Sequence, residues 1–362
     1  MIILDVRLNH IYGFDDFHVN FSYPKKIVGS LLENEFLEGR ERFRFKKAVI
    51  LMGTNATGKT SFGKALLRIF KSVSESNEAV LRELAAGDQT AGFQVDFVNE
   101  GYILHRLSGT IDKDNVNIRY FTADIAVNDS YEKAAAKLKD RTDDVSGSFK
   151  KLKDMIGPLS FRFAYPEIET SLRIGDVKKQ ALLKTLRAVI GTLDPTLTDV
   201  SIAKDLKDSF VIRRRGQEII IQDGKLLNRD LLSSGTAEGI DVAIFLASML
   251  SYNNSFYYCD EHFSYIQSDI EKRIFGLMLE RLGRNEQLIF TTHNADMLEL
   301  NLPKHSFAFL KKEINGGECT VAVTFASDYL KRNTDSVKCA LENDVFGSLP
   351  DDSLLDELEV EQ

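Results

Sequence analysis

The sequence has few of the residues that mark a secreted, disulfide-bonded or membrane-embedded protein. Its 362 residues include no tryptophan, six prolines and only three cysteines, Cys259, Cys319 and Cys339. Three cysteines at this spacing are too few for a disulfide framework and match no metal-ligand pattern. No run of eighteen apolar residues is present, and the N-terminal residues do not have the pattern of a signal peptide. We therefore expect a cytoplasmic protein without membrane contact.

A surplus of positive charge is also missing. Lysine and arginine number 46 against 54 aspartates and glutamates, which gives a net charge of −8. A protein whose main function is to bind nucleic acid usually has more basic than acidic residues. This charge balance still permits a local contact with nucleic acid, but not one through a strongly basic surface. Candidate local patches are the three arginines at residues 213–215 and the lysines at 150, 151 and 153, and for both we favour solvated surface charge.

The amino acids that are abundant indicate a large folded core. Hydrophobic residues make up 43% of the chain, and its length allows two to three domains. Alternation and apolar runs predict strands in residues 1–125, among them a buried one at 48–52 and a hairpin around 99–101. Residues 126–195 have helical spacing and predict a helical insertion. Strands and helices alternate again over 196–335, which predicts an α/β core with parallel strands, and 336–362 form an acidic C-terminal segment.

A phosphate-binding loop is the most specific motif. Residues 53–60 read GTNATGKT and fit the pattern G-x-x-x-x-G-K-[ST] between a buried strand and an amphipathic helix. The backbone of such a loop, together with the helix N-terminus, cradles phosphates. The predicted nucleotide-binding residues are Gly53, Asn55, Gly58, Lys59, Thr60 and Ser61. Lys59 would reach the β- and γ-phosphates, and the Thr60 hydroxyl would ligate Mg²⁺.

Two further apolar strands end in polar side chains that suit the same chemistry. Residues 256–259 are followed by Asp260 and Glu261, and residues 288–292 by His293. At the end of a parallel strand, Asp260 would hold Mg²⁺ and Glu261 would orient or deprotonate the attacking water. His293 would donate a hydrogen bond to the γ-phosphate or to that water. A solvated strand end and an ordinary loop histidine are the alternative interpretations.

A serine-glycine segment, residues 232–236 (LSSGT), precedes a mostly apolar helix. By itself it predicts no more than a helix N-cap. The order of all the motifs, however, resembles that of ABC-type ATPase heads in the SMC-like and OLD-like branch, and more narrowly the compact ATPases of bacterial anti-phage systems such as Septu, PARIS, retron and abortive-infection modules. The resemblance covers residues 1–125 and 225–311.

The resemblance implies a fold, a ligand and an assembly. It implies an α/β fold, that of an ABC-type P-loop ATPase head with a helical insertion between two lobes, which binds and slowly hydrolyses ATP with Mg²⁺. Ser233, Ser234 and Gly235 would form the signature segment that contacts ATP held by the other subunit of a homodimer or higher homo-oligomer. Glu261 and His293 would be the catalytic residues, and Thr60 and Asp260 the metal ligands.

The sequence departs from the family pattern at two places. His262 follows Glu261 where the family usually has proline or a small residue, and the following D-loop, residues 263–267, reads FSYIQ without the usual Leu-Asp or Leu-His. These departures weigh against rapid hydrolysis but not against ATP-gated clamping. The sequence does not place a Q-loop glutamine: Gln94 is a weak candidate, and an ordinary strand residue is the stronger interpretation.

Three functions compete at this point. The first is an ATPase whose ATP-dependent dimerisation regulates a separate effector, a nuclease, in anti-phage defence. The second is an SMC-like ATPase of DNA repair or recombination that acts directly on DNA, and the third is a non-hydrolysing module with ATP as a structural ligand.

The acidic C-terminal segment is either a solvated end or a docking helix, with Leu354, Leu355 and Leu358 on one face.

Overall fold

The described residues form three β-sheets and a two-stranded ribbon, with helices packed on the sheet that contains the parallel strands. The computed structural model describes residues 1–27, 30–85, 89–113, 115–165, 177–203, 206, 208–222, 225–227, 229–252, 254–315, 318–332 and 334–349. Within these residues the strands are β1 Ile2–Asn9, β2 Phe17–Asn20, β3 Phe36–Leu37, β4 Arg40–Arg44, β5 Ala48–Gly53, β6 Ala91–Val98, β7 Ile103–Ile111, β8 Val116–Asp124, β9 Lys139–Asp140, β10 Phe161–Ala164, β11 Leu197–Ile202, β12 Ser209–Arg214, β13 Gln217–Gln222, β14 Lys225–Leu226, β15 Phe256–Asp260, β16 Gln287–Thr291, β17 Phe307–Asn315 and β18 Glu318–Phe325. The α-helices of the same residues are α1 Lys59–Ser74, α2 Ala79–Arg82, α3 Tyr131–Ala135, α4 Thr142–Val145, α5 Phe149–Ile156, α6 Lys179–Leu193, α7 Ser234–Met249, α8 Ser268–Arg281, α9 Ala326–Tyr329 and α10 Val337–Glu342.

The central sheet has the strand order β10-β15-β16-β5-β17-β18. Its first five strands are parallel, and β18 returns antiparallel beside β17. Strand β5 belongs to the N-terminal part of the sequence, yet it lies between β16 and β17 from the C-terminal part. The division into lobes at residues 125 and 196 stays a prediction, and β5 of the first segment pairs with two strands of the last one. Backbone pairing in the middle of the sheet joins the two parts of the chain.

Both faces of the parallel strands are buried, and their side chains alternate between two cores. On β5, Ala48, Ile50 and Met52 belong to one core, and Val49 and Leu51 belong to the other. The first core is closed by α6, α7 and α8, and the second by α1 and the N-terminal sheet. A strand that is covered on both faces is apolar without alternation. The prediction of a buried strand at 48–52 is confirmed.

The N-terminal sheet is antiparallel, with the order β2-β1-β6-β7-β8-β9. The predicted hairpin is present, since β6 pairs with β7 from Ala91 opposite Ile111 to Val98 opposite Leu104. One face of this sheet covers the second core, and the other covers a smaller core beside α3 and the β3–β4 ribbon. The sheet thereby supports α1, the helix that follows the phosphate loop.

The segment 126–195 is only partly helical. It contains α3, α4, α5 and α6, but β10 lies between α5 and α6 and pairs in parallel with β15, from Phe161 opposite Phe256 to Ala164 opposite Cys259. The predicted helical insertion over 126–195 therefore also contains a strand of the central sheet. Arg162 interrupts the apolar run of this four-residue strand, and its guanidinium stacks 3.7 Å from the centre of the Tyr252 ring. A strand this short and interrupted has little periodicity to reveal it.

Helix α7 is the most deeply buried helix of the first core. It packs so closely on α6 that a Cβ on Gly239 would lie 2.3 Å from Leu193 Cδ1. From Thr236 to Met249 the helix is buried on nearly all sides, because α6 and the central sheet cover it. Among the described residues no helix is long and apolar enough to cross a bilayer.

The first part of the acidic C-terminal segment packs on the central sheet. Phe346 is buried and stacks on Phe309 of β17, with ring centroids 4.0 Å apart. Val345 and Leu349 are exposed. Leu354, Leu355 and Leu358, the proposed docking face, lie outside the described residues. Residues 337–349 are thus a folded end of the domain rather than a solvated tail.

The close contact between α1 and β15 allows the packing of α1 on the central sheet to be tested. A Cβ on Gly63 would lie 2.5 Å from Tyr258 Cε1 and 2.8 Å from the Tyr165 hydroxyl. We expect Gly63→Ala to lower the free energy of unfolding by about 1–3 kcal/mol, because overpacking outweighs the helix-propensity gain. Urea unfolding measures the change.

Gly276 in α8 is the matched control, since a Cβ there meets no heavy atom within 4 Å. Gly276→Ala should raise the free energy of unfolding by about 0.5–1 kcal/mol. A Gly63→Ala variant as stable as Gly276→Ala would contradict the close approach of α1 to β15.

Candidate functional site

The phosphate loop connects β5 to α1 at the carboxyl edge of the central sheet. Gly58 has φ +102°, and a Cβ on it would lie 2.8 Å from Phe14 Cζ. A Cβ on Gly53 would lie 2.7 Å from Thr57 Oγ1 and 2.8 Å from the Leu310 carbonyl oxygen. Both fixed glycines of the motif are therefore required by space, and Gly58 also by its backbone conformation. The free N–H groups of the first turn of α1 begin at this loop.

Lys59 lies buried inside the loop. Its Nζ donates to the carbonyl oxygens of Gly53, at 2.8 Å, and Thr54, at 3.2 Å, and lies 3.3 Å from Glu261 Oε1. Burial lowers the pKa of this ammonium group, and the charge of Glu261 works in the opposite direction. The Nζ atom is thus held at the loop by oxygen atoms, within reach of a phosphate bound there.

Asp260 joins the loop to the neighbouring strand end. Thr60 Oγ1 donates to Asp260 Oδ2 at 2.6 Å, and Thr291 Oγ1 donates to Asp260 Oδ1 at 2.8 Å. Burial raises the pKa of Asp260, and the two hydroxyl donors oppose that shift. A hydroxyl and a carboxylate side by side are oxygen ligands of the kind that Mg²⁺ takes beside substrate phosphates. Thr60 and Asp260, the two predicted metal ligands, therefore fit this ion.

Glu261 and His293 lie together beside Lys59. His293 Nε2 is 2.8 Å from Glu261 Oε1, and this hydrogen bond holds the pKa of the Glu261 carboxyl below its usual range. Glu261 has φ +46°, a strained conformation for a residue with a side chain. Its N–H donates to the carbonyl oxygen and to Oγ1 of Thr291. These bonds hold the strained residue in place at the edge of the cleft.

These groups border one cleft of about 460 Å³. Of the residues named from the sequence, it is lined by Asn55, Gly58, Lys59, Thr60, Ser61, Glu261 and His293. Asp260 lies buried behind Thr60, and Gly53 contributes its carbonyl to Lys59. The structure thus brings together the predicted nucleotide-binding, metal-binding and catalytic residues.

Part of the cleft wall was not predicted. The loop after β1 contributes Tyr12, Gly13, Phe14 and Asp15, and the β17–β18 hairpin contributes Lys312, Cys319 and Val321. The only sequence signal for the first wall is the turn glycine Gly13, which has φ +82°. The second wall has no motif, because its residues come to the cleft only through the pairing of β17 with β5.

The predicted signature segment does not line this cleft. Ser233 is the N-cap of α7, and its Oγ accepts from the Thr236 N–H at 3.2 Å. Ser233 and Ser234 are exposed, and among the described residues that line the cleft neither they nor Gly235 appears. Gln94 lies on β6 opposite Arg7 in the N-terminal sheet, which agrees with an ordinary strand residue.

The two departures from the family pattern have different environments. His262 is fully buried, and burial lowers its pKa to about 4, so its ring is neutral at pH 7. In the D-loop, Phe263 and Ile266 are buried, whereas Tyr265 is 71% exposed. The loop therefore rests on two apolar anchors and presents an aromatic side chain to solvent.

Similarity to known proteins is found in the structure of the chain and not in its sequence. No protein-family model matches the sequence, and no curated protein matches it. A solved structure of the Smc head bound to the C-winged helix domain of ScpA matches with a TM-score of 0.56 and 14% identity over 92% of this chain and 100% of that one. The Smc head with an extended coiled coil bound to the C-terminal domain of ScpA, derived from Pyrococcus furiosus, matches with a TM-score of 0.52 and 12% identity over 90% and 97% of the two chains. The predicted fold class is therefore confirmed: the chain has the α/β fold of an SMC-type, ABC-class ATPase head.

Proposed function

We propose that the chain is an ABC-type ATPase that binds ATP with Mg²⁺, hydrolyses it, and works as a head-to-head homodimer. The observation that carries this proposal is the convergence of three strand ends on one cleft. The phosphate loop follows β5, Asp260 ends β15 with Glu261 directly after it, and His293 follows β16. The volume of about 460 Å³ suits a nucleotide-sized ligand.

The side chains of the cleft would each have a different role in phosphoryl transfer. Lys59 and the first turn of α1 bind the phosphates, and Thr60 with Asp260 would hold Mg²⁺, which when bound neutralises charge on the phosphate oxygens. Glu261 orients the attacking water and accepts its proton, because its lowered pKa keeps it ionised at neutral pH. His293 fixes the Glu261 carboxylate through their 2.8 Å contact.

The position of the signature segment supports a dimer. Ser233 and Ser234 are exposed at the N-terminus of α7 and do not line the cleft formed by the described residues of their own chain. A helix N-terminus with small side chains can contact an anion. We therefore propose that this segment contacts the γ-phosphate of ATP held by a second copy.

We further propose that this dimer regulates a separate effector, a nuclease, in anti-phage defence. The order of the motifs supports this role through the family resemblance. After His293, the described residues form β17, β18 and short helices on the central sheet, so among them no further catalytic domain is present. Phage plating on cells that carry the native operon tests the role: Lys59→Ala should abolish protection, and equal protection would contradict it.

A role directly on DNA is the second candidate, and one surface favours it. Lys150, Lys151 and Lys153 are all exposed on α5, whereas Arg213 and Arg214 are paired with acidic residues of the same chain. Direct DNA binding should weaken steeply as salt rises. Binding that is lost on changing the three lysines to alanine would favour this candidate over effector regulation.

The first prediction concerns Lys59. Lys59→Ala should weaken ATP binding on the order of 100-fold, because it removes the charge-assisted hydrogen bonds to the phosphates. Isothermal titration calorimetry measures the affinity. Lys64→Ala, one turn along α1 and away from the cleft, is the matched control and should bind like the parent. Unchanged affinity in Lys59→Ala would overturn the nucleotide site.

The second prediction separates hydrolysis from binding. Glu261→Gln should keep ATP affinity and lower turnover by about 100-fold or more, because it removes the base at nearly constant size. Single-turnover phosphate release measures this, with Glu280→Gln at an exposed position of α8 as the control. If the parent itself releases no phosphate, the chain is a non-hydrolysing ATP-binding module.

The third prediction tests the composite site. Ser233→Arg should block the contact with the partner's phosphate, and Lys59→Ala should empty its own site, so neither homodimer should hydrolyse ATP. A mixture of the two chains should recover one working site per mixed dimer. Turnover after subunit exchange measures this recovery. A mixture that stays inactive although mixed dimers form would show that the signature segment does not act in trans.

A further inference from the structure

Glu238 is a buried carboxylate in α7 that faces the backbone of the D-loop. Its Oε1 accepts from the Ser264 N–H at 3.2 Å, and its Oε2 accepts from the Tyr265 N–H at 3.0 Å. The residue is 8% exposed. A buried carboxylate costs free energy unless donors satisfy it, and two backbone donors to one ionised group make a strong, directional contact. Glu238 therefore fixes two consecutive peptide groups of the D-loop.

A second contact joins the same two segments. A Cβ on Gly235 would lie 2.6 Å from the Tyr265 carbonyl oxygen. The signature segment and the D-loop thus meet at backbone distance, with the N–H of Tyr265 bound to Glu238 and its carbonyl against Gly235. Because Tyr265 contacts α7 through both its N–H and its carbonyl oxygen, the signature segment and the D-loop keep one relative arrangement.

The D-loop also begins at the candidate catalytic carboxylate. Ser264 Oγ donates to the Glu261 carbonyl oxygen at 3.3 Å, and the Ile266 N–H donates to the Phe263 carbonyl oxygen at 3.2 Å. The turn from Glu261 to Ile266 is therefore closed by its own hydrogen bonds. It connects the cleft of one chain to the segment that serves the partner's cleft.

We propose that Glu238 is a positioning residue that locks the signature segment to the D-loop in the arrangement that the partner's ATP requires. The inference rests on the proposed ATP-dependent dimer. It goes beyond that dimer because it assigns a residue that contacts neither nucleotide nor metal. It also predicts where the defect appears: in the partner's cleft, and not in the cleft of the chain that carries the substitution.

The chain offers a matched control for a purely structural role. Glu286 is 3% exposed and accepts from the N–H groups of Gly283, at 2.6 Å, and Ser255, at 3.3 Å. It lies at the opposite edge of the central sheet, where β15 and β16 begin. Glu286→Gln therefore removes a buried carboxylate that likewise accepts two backbone hydrogen bonds, but it leaves the cleft, the signature segment and the D-loop unchanged.

Mixed dimers with one ATP-binding chain separate an effect in trans from an effect in cis. The reference pairs a parent chain with a Lys59→Ala chain. A Glu238→Gln chain paired with a Lys59→Ala chain should turn over like the reference, because its ATP meets an intact signature segment. A parent chain paired with a Lys59→Ala/Glu238→Gln chain should be about 10- to 100-fold slower, as for the loss of a hydrogen bond to a charged group. A Lys59→Ala/Glu286→Gln chain in that place should match the reference.

A second measurement does not depend on turnover in mixed dimers. The Glu238→Gln homodimer should bind ATP as tightly as the parent in calorimetry, but its ATP-dependent dimerisation should weaken by about tenfold or more in analytical ultracentrifugation. Glu286→Gln should keep both properties. Parent-like dimerisation and turnover in Glu238→Gln, or equal losses in the two mixed dimers that carry it, would overturn the proposal. Failure of the proposed function is distinct, since the unsubstituted chain would then neither dimerise with ATP nor hydrolyse it.

Discussion

The parallel pairing of β5 between β16 and β17 is the constraint on which the site depends. Ile50 lies opposite Phe290 on one side and Phe307 on the other, so the backbone of β5 is hydrogen-bonded along both edges inside the sheet. Buried peptide groups must be paired, and only a parallel register brings the ends of β5, β15 and β16 to the same edge. Helix α1 leaves from that edge, and the Tyr258 hydroxyl bonds to the Lys59 carbonyl oxygen at 2.6 Å. The phosphate loop and Asp260 are thereby held together.

Burial gives the polar groups of the cleft their properties. Desolvation raises the pKa of Asp260 and lowers that of Lys59, in each case against the charged form. The opposing contacts come from the hydroxyls of Thr60 and Thr291 and from the charge of Glu261. These contacts hold the polar groups in fixed orientations, which would reduce the reorganisation that the proposed phosphoryl transfer requires.

The surface around the N-terminus of α7 is exposed in the single chain. The signature residues Ser233 and Ser234 face solvent, and Tyr265 projects from the D-loop beside them. By contrast, the arginine cluster at 213–215 is largely used within the chain, since Arg213 pairs with Asp199 and Glu218. The surface around α7 is therefore a stronger candidate for an interface than the arginine hairpin. Glu238 connects that surface to the turn that follows Glu261 in the same chain.

The sequence by itself determined the local chemistry of the site. The loop at 53–60 and the pair Asp260-Glu261 could be assigned because fixed residue types at fixed spacing follow apolar strands. The continuous apolar run at 48–52 similarly indicated a strand buried on both faces. These are local properties, since each depends on a few adjacent residues and on the strand or helix that they form.

Only the tertiary structure decided which distant segments meet. The insertion of β5 among C-terminal strands, the place of β10 in the central sheet, and the cleft walls from the loop after β1 and the β17–β18 hairpin have no local signature. Glu238 looks like any polar residue at the start of a helix until α7 lies against the D-loop. Such contacts depend on backbone pairing and close packing between segments far apart in the chain, and these long-range interactions leave no periodicity in the sequence.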